Sequence, residues 1–322
     1  MNDRTYAYYP GCSAKGIGRG FTESLDAVFA HLGVGLQELD DWNCCGATAW
    51  PSVDEDQAIA LAARNLALAE DRAPDGPVDL LASCTGCYRA LIHTERLLEQ
   101  PGPTATRVGT ALAAAGLDYE GRTRVRHPID ILVNEIGVDA ISAKVVRPLT
   151  GVKVACYYGC LLVRPFATFD DQHDPTSMDR LVRAVGAEPV EWPLKTRCCG
   201  GSCYCGGPVI GAMPEVTMQL SYALLREATK RGADVIATIC PLCQFNLEGF
   251  QDRMTKRFGH PLDVPAAFVS QLLGIAFGLD EERLGIRRLL RWRLPELEPV
   301  AEVPRAKTPE PALAPAGGGG DG

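Results

Sequence analysis

Short apolar runs alternate along this chain with longer stretches of helical periodicity. Residues 5–9 form a β-rich run. A helix is predicted next: Thr22 suits its N-cap, Leu25, Val28, Phe29 and Leu32 share one face, and Gly33 suits the position past its end. A short strand around residues 36–39 follows, then a longer helix over 57–70 carrying Ile59, Leu61, Leu66 and Leu68. A buried strand at 78–82 leads into a helix over 88–100. The same plan returns further on, with strands at 152–158, 189–192 and 234–238 and helices at 177–185, 214–231 and 244–258. The helix at 214 opens on proline, which a first turn tolerates, and Gly186 closes the one before it. Strands alternating with helices predict parallel sheets and an α/β fold.

The joining segment, 101–150, is expected to be helical over 106–115 and 129–136. Near the end, Leu284, Ile286, Leu289, Leu290 and Leu294 lie among Arg283, Arg287, Arg288, Arg291 and Arg293, which predicts a basic helix. From Pro295 the composition turns to Pro, Ala, Glu and Gly, the signature of a disordered tail.

The recurrence is sharpest in the cysteines. Cys12 answers Cys160 at an offset of 148, Cys44-Cys45-Gly46 answers Cys198-Cys199-Gly200 at 154, and Cys84-x-x-Cys87 answers Cys240-x-x-Cys243 at 156. Tyr8-Tyr9-Pro10-Gly11 before the first cysteine answers Tyr157-Tyr158-Gly159 in the second half, and His127-Pro128 is matched to His260-Pro261. A duplication follows, with a first domain over 1–150, a second over 151–280, and the basic helix and tail over 281–322. In α/β sheets, sites gather beyond the carboxyl ends of the strands, where these cysteines fall.

Bulk properties narrow the chemistry. The chain has 322 residues, enough for two domains, and 46% hydrophobic content supports real cores. A net charge of −8 argues against nucleic acid as a partner. Residues 1–9 carry no apolar signal core, and the apolar stretch 266–279 is too short and too interrupted to span a bilayer. A cytoplasmic location is therefore expected. There, 13 cysteines serve metal or redox chemistry rather than disulfides.

A CxxC at a strand-to-helix junction brings two thiolates together at free helix N–H groups. Alone it suits zinc or a redox pair. Each half, however, offers five cysteines, and a structural zinc site closes with four. Adjacent cysteines diverge, which fits a cluster of several irons better than one ion.

Other signals weigh less. Gly16-Ile17-Gly18-Arg19-Gly20 misses a dinucleotide fingerprint and is expected to shape the loop after Cys12. His127 and His260 each precede proline and read as turn residues. Lys195 and Arg197 stand before the second Cys-Cys pair, as solvated charges or as a hold for an anionic substrate. Cys156 reads as a small buried residue. Cys203 and Cys205 sit in a Gly-rich loop, as bystanders or as accessory ligands or redox thiols of the second set.

One cysteine, Cys-Cys-Gly, then CxxC, twice over, resembles the CCG-domain family typified by the B-type subunit of heterodisulfide reductase, across residues 5–280. The resemblance implies two Rossmann-like domains related by a pseudo-twofold. It implies one non-cubane 4Fe-4S cluster on Cys12, Cys44, Cys45, Cys84 and Cys87, and a second on Cys160, Cys198, Cys199, Cys240 and Cys243. The implied activity is that of a disulfide oxidoreductase subunit, reducing a small disulfide (or oxidising thiols) between the clusters, with no catalytic residue apart from the ligands. Implied partners are a ferredoxin-like iron–sulfur subunit and a flavoprotein subunit of the same complex. Two alternatives stay open. One is an electron-transfer or anchor subunit of a succinate or fumarate oxidoreductase, touching the membrane peripherally through the basic helix. The other is a zinc-stabilised binding module.

Overall fold

The computed structural model describes residues 4–48, 50–73, 76–201 and 213–296. In the first half, β1 (Arg4–Tyr9), β2 (Val34–Glu38), β3 (Val78–Ala82) and β4 (Thr123–Arg126) form one sheet in the order β2-β1-β3-β4. In the second half, β5 (Lys153–Tyr157), β6 (Glu188–Pro189), β7 (Val235–Thr238) and β8 (Ala266–Phe268) repeat that order as β6-β5-β7-β8. All pairings are parallel. The central strands are apolar because both faces are covered: Leu80, Leu81 and Ala82 of β3 and Val235, Ile236 and Ala237 of β7 are fully buried.

Helices close each crossover. The first half carries α1 (Arg19–His31), α2 (Glu55–Glu70), α3 (Thr85–Leu98) and α4 (Pro103–Ala114). Asp54 caps α2, its side chain accepting from the Gln57 amide at 3.0 Å. The second half carries α5 (Ser177–Ala184), α6 (Pro214–Lys230), α7 (Pro241–Gly249), α8 (Gln251–Phe258) and α9 (Val269–Ala276). The expected helix at 244–258 is thus two, broken at Phe250, whose φ of −119° leaves the helical range.

The halves interlock. Helix α1 packs on α9, which follows the last strand of the other half. Reciprocally, α5 packs on the helical stretch after β4, which spans Pro128–Asp130, a π-helical Ile131–Gly137 and Val138–Ser142. Between α1 and α9, Phe21 stacks on Phe268 at 4.6 Å and the Ser24 and Ser270 hydroxyls lie 2.7 Å apart. At the related contact, Phe169 stacks on His127 at 6.2 Å. Phe21 and Phe169 stand at the same 148-residue offset as Cys12 and Cys160. His127 therefore occupies the place of Phe268, not of His260, and the sequence match of the two His-Pro pairs is corrected. His260 is exposed between α8 and β8.

The expected basic helix is also absent. Only a 3-10 turn, Ile286–Arg288, forms there, because Gly285 adopts a left-handed conformation (φ 61°). The chain then runs on without regular structure to residue 296.

Candidate functional site

Each half folds its five cysteines beyond the carboxyl ends of three neighbouring strands, where the β2-β1-β3 order reverses. Cys12 and Cys160 follow β1 and β5, each behind a glycine in left-handed backbone, Gly11 (φ 72°) and Gly159 (φ 70°). A Cβ on Gly11 would meet Cys87 Sγ at 3.0 Å, and one on Gly159 would meet Cys243 Sγ at 3.5 Å. At Gly11 both the backbone and the close thiol favour glycine, while at Gly159 the contact would be ordinary and the left-handed backbone alone favours it. The Cys-Cys-Gly glycines are also left-handed, Gly46 at 74° and Gly200 at 86°, and press on the next helix at Ala58 and Thr217. Cys84 and Cys240 are the N-caps of α3 and α7.

Exposure repeats as well. Cys12 and Cys44 are exposed and Cys160 and Cys198 partly so, whereas Cys45, Cys84, Cys87, Cys199, Cys240 and Cys243 are buried. Each Cys-Cys pair therefore diverges, one thiol outward and one inward. None of the described cysteines is in a disulfide.

The thiols lie close enough to shift one another's protonation in one succession across both halves. It runs from Cys12 to Cys44, Cys45, Cys87 and Cys84, crosses to Cys240, and continues to Cys243 and Cys199. The Cys199 and Cys243 sulfurs are 3.4 Å apart, and the Gly200 amide donates to Cys198 Sγ at 3.2 Å. Thr85 of the first half also bonds Cys240 of the second. Among the described residues no three thiol, imidazole or carboxylate groups converge at the spacing of a single metal ion; the sulfurs are strung out in pairs.

Crowding sets the protonation. The bond with Cys44, then burial, raises Cys12, while bonds from Cys12 and Cys45 hold Cys44 far below an ordinary thiol. The bond with Cys44 pushes Cys45 up to about 12. Cys84, through Cys240, and Cys87, through Cys45, are raised too, as is Cys243 through Cys199, whereas Cys240 is lowered by its bond with Cys243. Such a set cannot ionise together without positive charge among the sulfurs. A polynuclear iron centre supplies that charge, and the donor set fits one.

Two tyrosines complete the site, and the sequence pattern showed them only as neighbours of the first cysteines. Tyr9 Oη donates to the carbonyl of Asn43 at 2.8 Å, and Tyr157 Oη to that of Arg197 at 2.7 Å. Each acceptor directly precedes a Cys-Cys pair. Burial and then the surrounding thiols (Cys87, Cys45, Cys44 and Cys12 for Tyr9; Cys199, Cys243, Cys160 and Cys198 for Tyr157) drive both phenols up, so each ring lies against its set. The structural counterpart of Tyr157 is therefore Tyr9, and Pro10 stands where Tyr158 does.

The remaining singled-out residues are quickly placed. Cys156 is fully buried on β5, its thiol raised by that burial. Cys203 and Cys205 lie outside the described residues. Lys195 donates to Asp174 Oδ1 and the Pro175 carbonyl, both at 3.1 Å, so it is already paired, while Arg197 is exposed. His127 is buried, and its Nδ1 accepts from the Ile129 amide at 3.2 Å as a helix cap. Gly18 shapes the loop after Cys12, since a Cβ there would strike Pro241 at 2.9 Å.

Fold and site together define a duplicated α/β protein built around two facing five-cysteine sets. The chain belongs to the CCG cysteine-rich domain family, which matches residues 6–92 and 154–248. It is 30% identical over 285 residues to the 8-methylmenaquinol:fumarate reductase membrane anchor subunit of Wolinella succinogenes, covering 88% of this chain and 95% of that one. It is 29% identical over 296 residues to the B-type subunit of the ferredoxin:CoB-CoM heterodisulfide reductase of Methanosarcina mazei, covering 91% and 96%. A heterodisulfide reductase-like protein of the same subunit type, from Archaeoglobus profundus, is 27% identical, covering 87% and 92%. A hypothetical protein from Helicobacter pylori shares the fold at a TM-score of 0.70 and 14% identity, over 90% of this chain and 52% of that one. By family, the chain is an iron–sulfur oxidoreductase subunit with a role in electron transfer.

Proposed function

We propose that this chain is the iron–sulfur catalytic subunit of a heterodisulfide reductase-like complex, working on a small disulfide or its thiols between its two cysteine sets. Cys12, Cys44, Cys45, Cys84 and Cys87 would hold one non-cubane 4Fe-4S cluster, and Cys160, Cys198, Cys199, Cys240 and Cys243 the other. When bound, each cluster supplies one electron at a time.

The observation that carries the reading is the meeting of Cys84 with Cys240 across the pseudo-twofold. It sets the two groups of thiols face to face. Reducing a disulfide consumes two electrons and two protons and yields two thiols, so a single sulfur–sulfur bond within reach of both sets draws one electron from each side. Tyr9 and Tyr157 hold the two Cys-Cys turns by the carbonyls in front of them. Electrons enter from partner subunits, a ferredoxin-like protein and a flavoprotein.

The test is iron and sulfide analysis with electron paramagnetic resonance on anaerobically purified protein. Two distinct centres are expected, with Cys44→Ser disturbing one and Cys198→Ser the other. Full iron and unchanged spectra in both variants would sink the two-cluster reading. A colourless zinc protein would favour the binding module.

The Wolinella relative supports a second reading, an electron-transfer subunit of a fumarate reductase. No helix among the described residues is long and apolar enough to cross a membrane. Isolation of the native complex separates the two. A thiol-dependent flavoprotein partner supports the first reading; a fumarate-reducing partner in the membrane pellet supports the second.

A further inference from the structure

The two halves differ in how they cover the second cysteine of each Cys-Cys pair. In the second half, Ser221 Oγ donates to the Cys199 carbonyl at 3.0 Å, and Asn246 Nδ2 reaches that carbonyl at 3.5 Å and Cys199 Sγ at 3.7 Å. Counted from the capping cysteines Cys84 and Cys240, Ala90 takes the place of Asn246 and Arg89 that of Phe245. His93 and Thr94 likewise replace Gly249 and Phe250. Counted from the helix residues under the two Cys-Cys-Gly glycines, Ala58 and Thr217, Ala62 takes the place of Ser221.

Both donors and both phenylalanines are thus gone from the first half, and a cavity of about 100 Å³ opens there between α2 and α3. That is room for roughly seven to ten waters or one small organic molecule. Cys45 and Gly46 line one end, and Ala58, Ile59, Ala62 and Ala90 form apolar walls. Arg89 and His93 supply its polar groups, with Glu55 among the lining residues. Arg89 has no ion-pair partner among the described residues; Glu55 forms no bridge with it. Burial and then Arg89 hold His93 below an ordinary imidazole, so it stays neutral and adds no second positive charge beside the guanidinium. An unpaired guanidinium recognises a carboxylate through two parallel hydrogen bonds.

We propose that this cavity binds a small thiol-bearing carboxylate, with the acid group on Arg89 and the sulfur toward Cys45. The proposal rests on the reading that the thiol sets exchange electrons with sulfur compounds. It makes the first half the open side and the second half the closed one.

The test is calorimetric titration of the full, iron-loaded chain with 3-mercaptopropionate, with propionate and ethanethiol as comparators. Wild type should bind 3-mercaptopropionate more tightly than either comparator and show a changed resonance from one cluster. Arg89→Gln should weaken binding at least tenfold. Ala90→Asn, which installs the second half's residue, should abolish binding at unchanged iron content. Wild-type affinity in Ala90→Asn, or propionate binding as tightly as the thiol, would overturn the proposal. The two readings fail separately: a chain that holds no iron sinks the electron-transfer function, whereas an iron-loaded chain whose Ala90→Asn variant binds as wild type sinks the cavity alone.

Discussion

At the scale of single residues, the glycine after each Cys-Cys pair does two things. It turns the backbone left-handed, and it lets the turn rest against a helix. At Gly200 the two demands coincide, because a Cβ would lie 2.9 Å from Thr217 Cα in a backbone with φ of 86°. Gly33 has similar backbone, φ 75°, but nothing within 4 Å of a Cβ. Gly33→Ala should therefore cost only the left-handed penalty, about 1 kcal/mol, whereas Gly200→Ala adds a main-chain clash and should cost about 3 kcal/mol. Urea midpoints of the two variants measure the difference; equal losses would show that the turn yields freely. The cysteines and these glycines were legible as a spaced motif. The tyrosines were not, since their role lies in a bond to a carbonyl some 34 to 40 residues away.

Among the elements, the strand-and-helix alternation survives translation into structure because its apolar periods are strong. The departures have physical causes. From the Cys-Cys-Gly glycine to the helix residue beneath it the chain counts 17 positions in the second half, Gly200 to Thr217, against 12 in the first, Gly46 to Ala58. Cys203 and Cys205 fall within the longer stretch of sequence. The His127–His260 match failed because the repeat keeps an aromatic ring at that contact, not a histidine. Helix α3 also carries a half-buried acid, Glu95, whose carboxyl is raised to about 7 by desolvation against a weaker opposing bond from the Val125 amide. Between the ordinary 4.5 and about 7, the folded state keeps a proton that the unfolded chain gives up. Stability attributable to Glu95 therefore falls as pH rises through that window. Glu95→Gln should gain on wild type across it, the gap growing from pH 4.5 and levelling above 7. Parallel urea midpoints against pH check this; a constant gap would show that Glu95 does not titrate there.

For the whole molecule, the segment after Leu279 changes most between sequence and structure. As a basic helix it would have offered a face to a membrane or a partner, and its removal would leave the folded core untouched. The structure gives it different work. Leu284 is fully buried against Gly274 in α9, and Ile286 is buried beside it. Arg288 then grips Glu23 of α1 through two bonds of 2.7 and 2.8 Å, while Arg291 and Arg293 bond Asp263 and Arg291 also bonds Asp252. The segment is a strap from the second half back to the first, its arginines spent on acids from distant elements, which no local pattern reveals. The exposed ion pairs add little, but two buried aliphatic side chains stabilise by about 3 to 6 kcal/mol together. Deleting residues 281–322 should therefore lower the unfolding midpoint clearly, and Arg288→Gln alone should lower it only slightly. An unfolding midpoint unchanged by the deletion, together with loss of membrane pelleting, would restore the helix reading and with it the case for an anchor subunit.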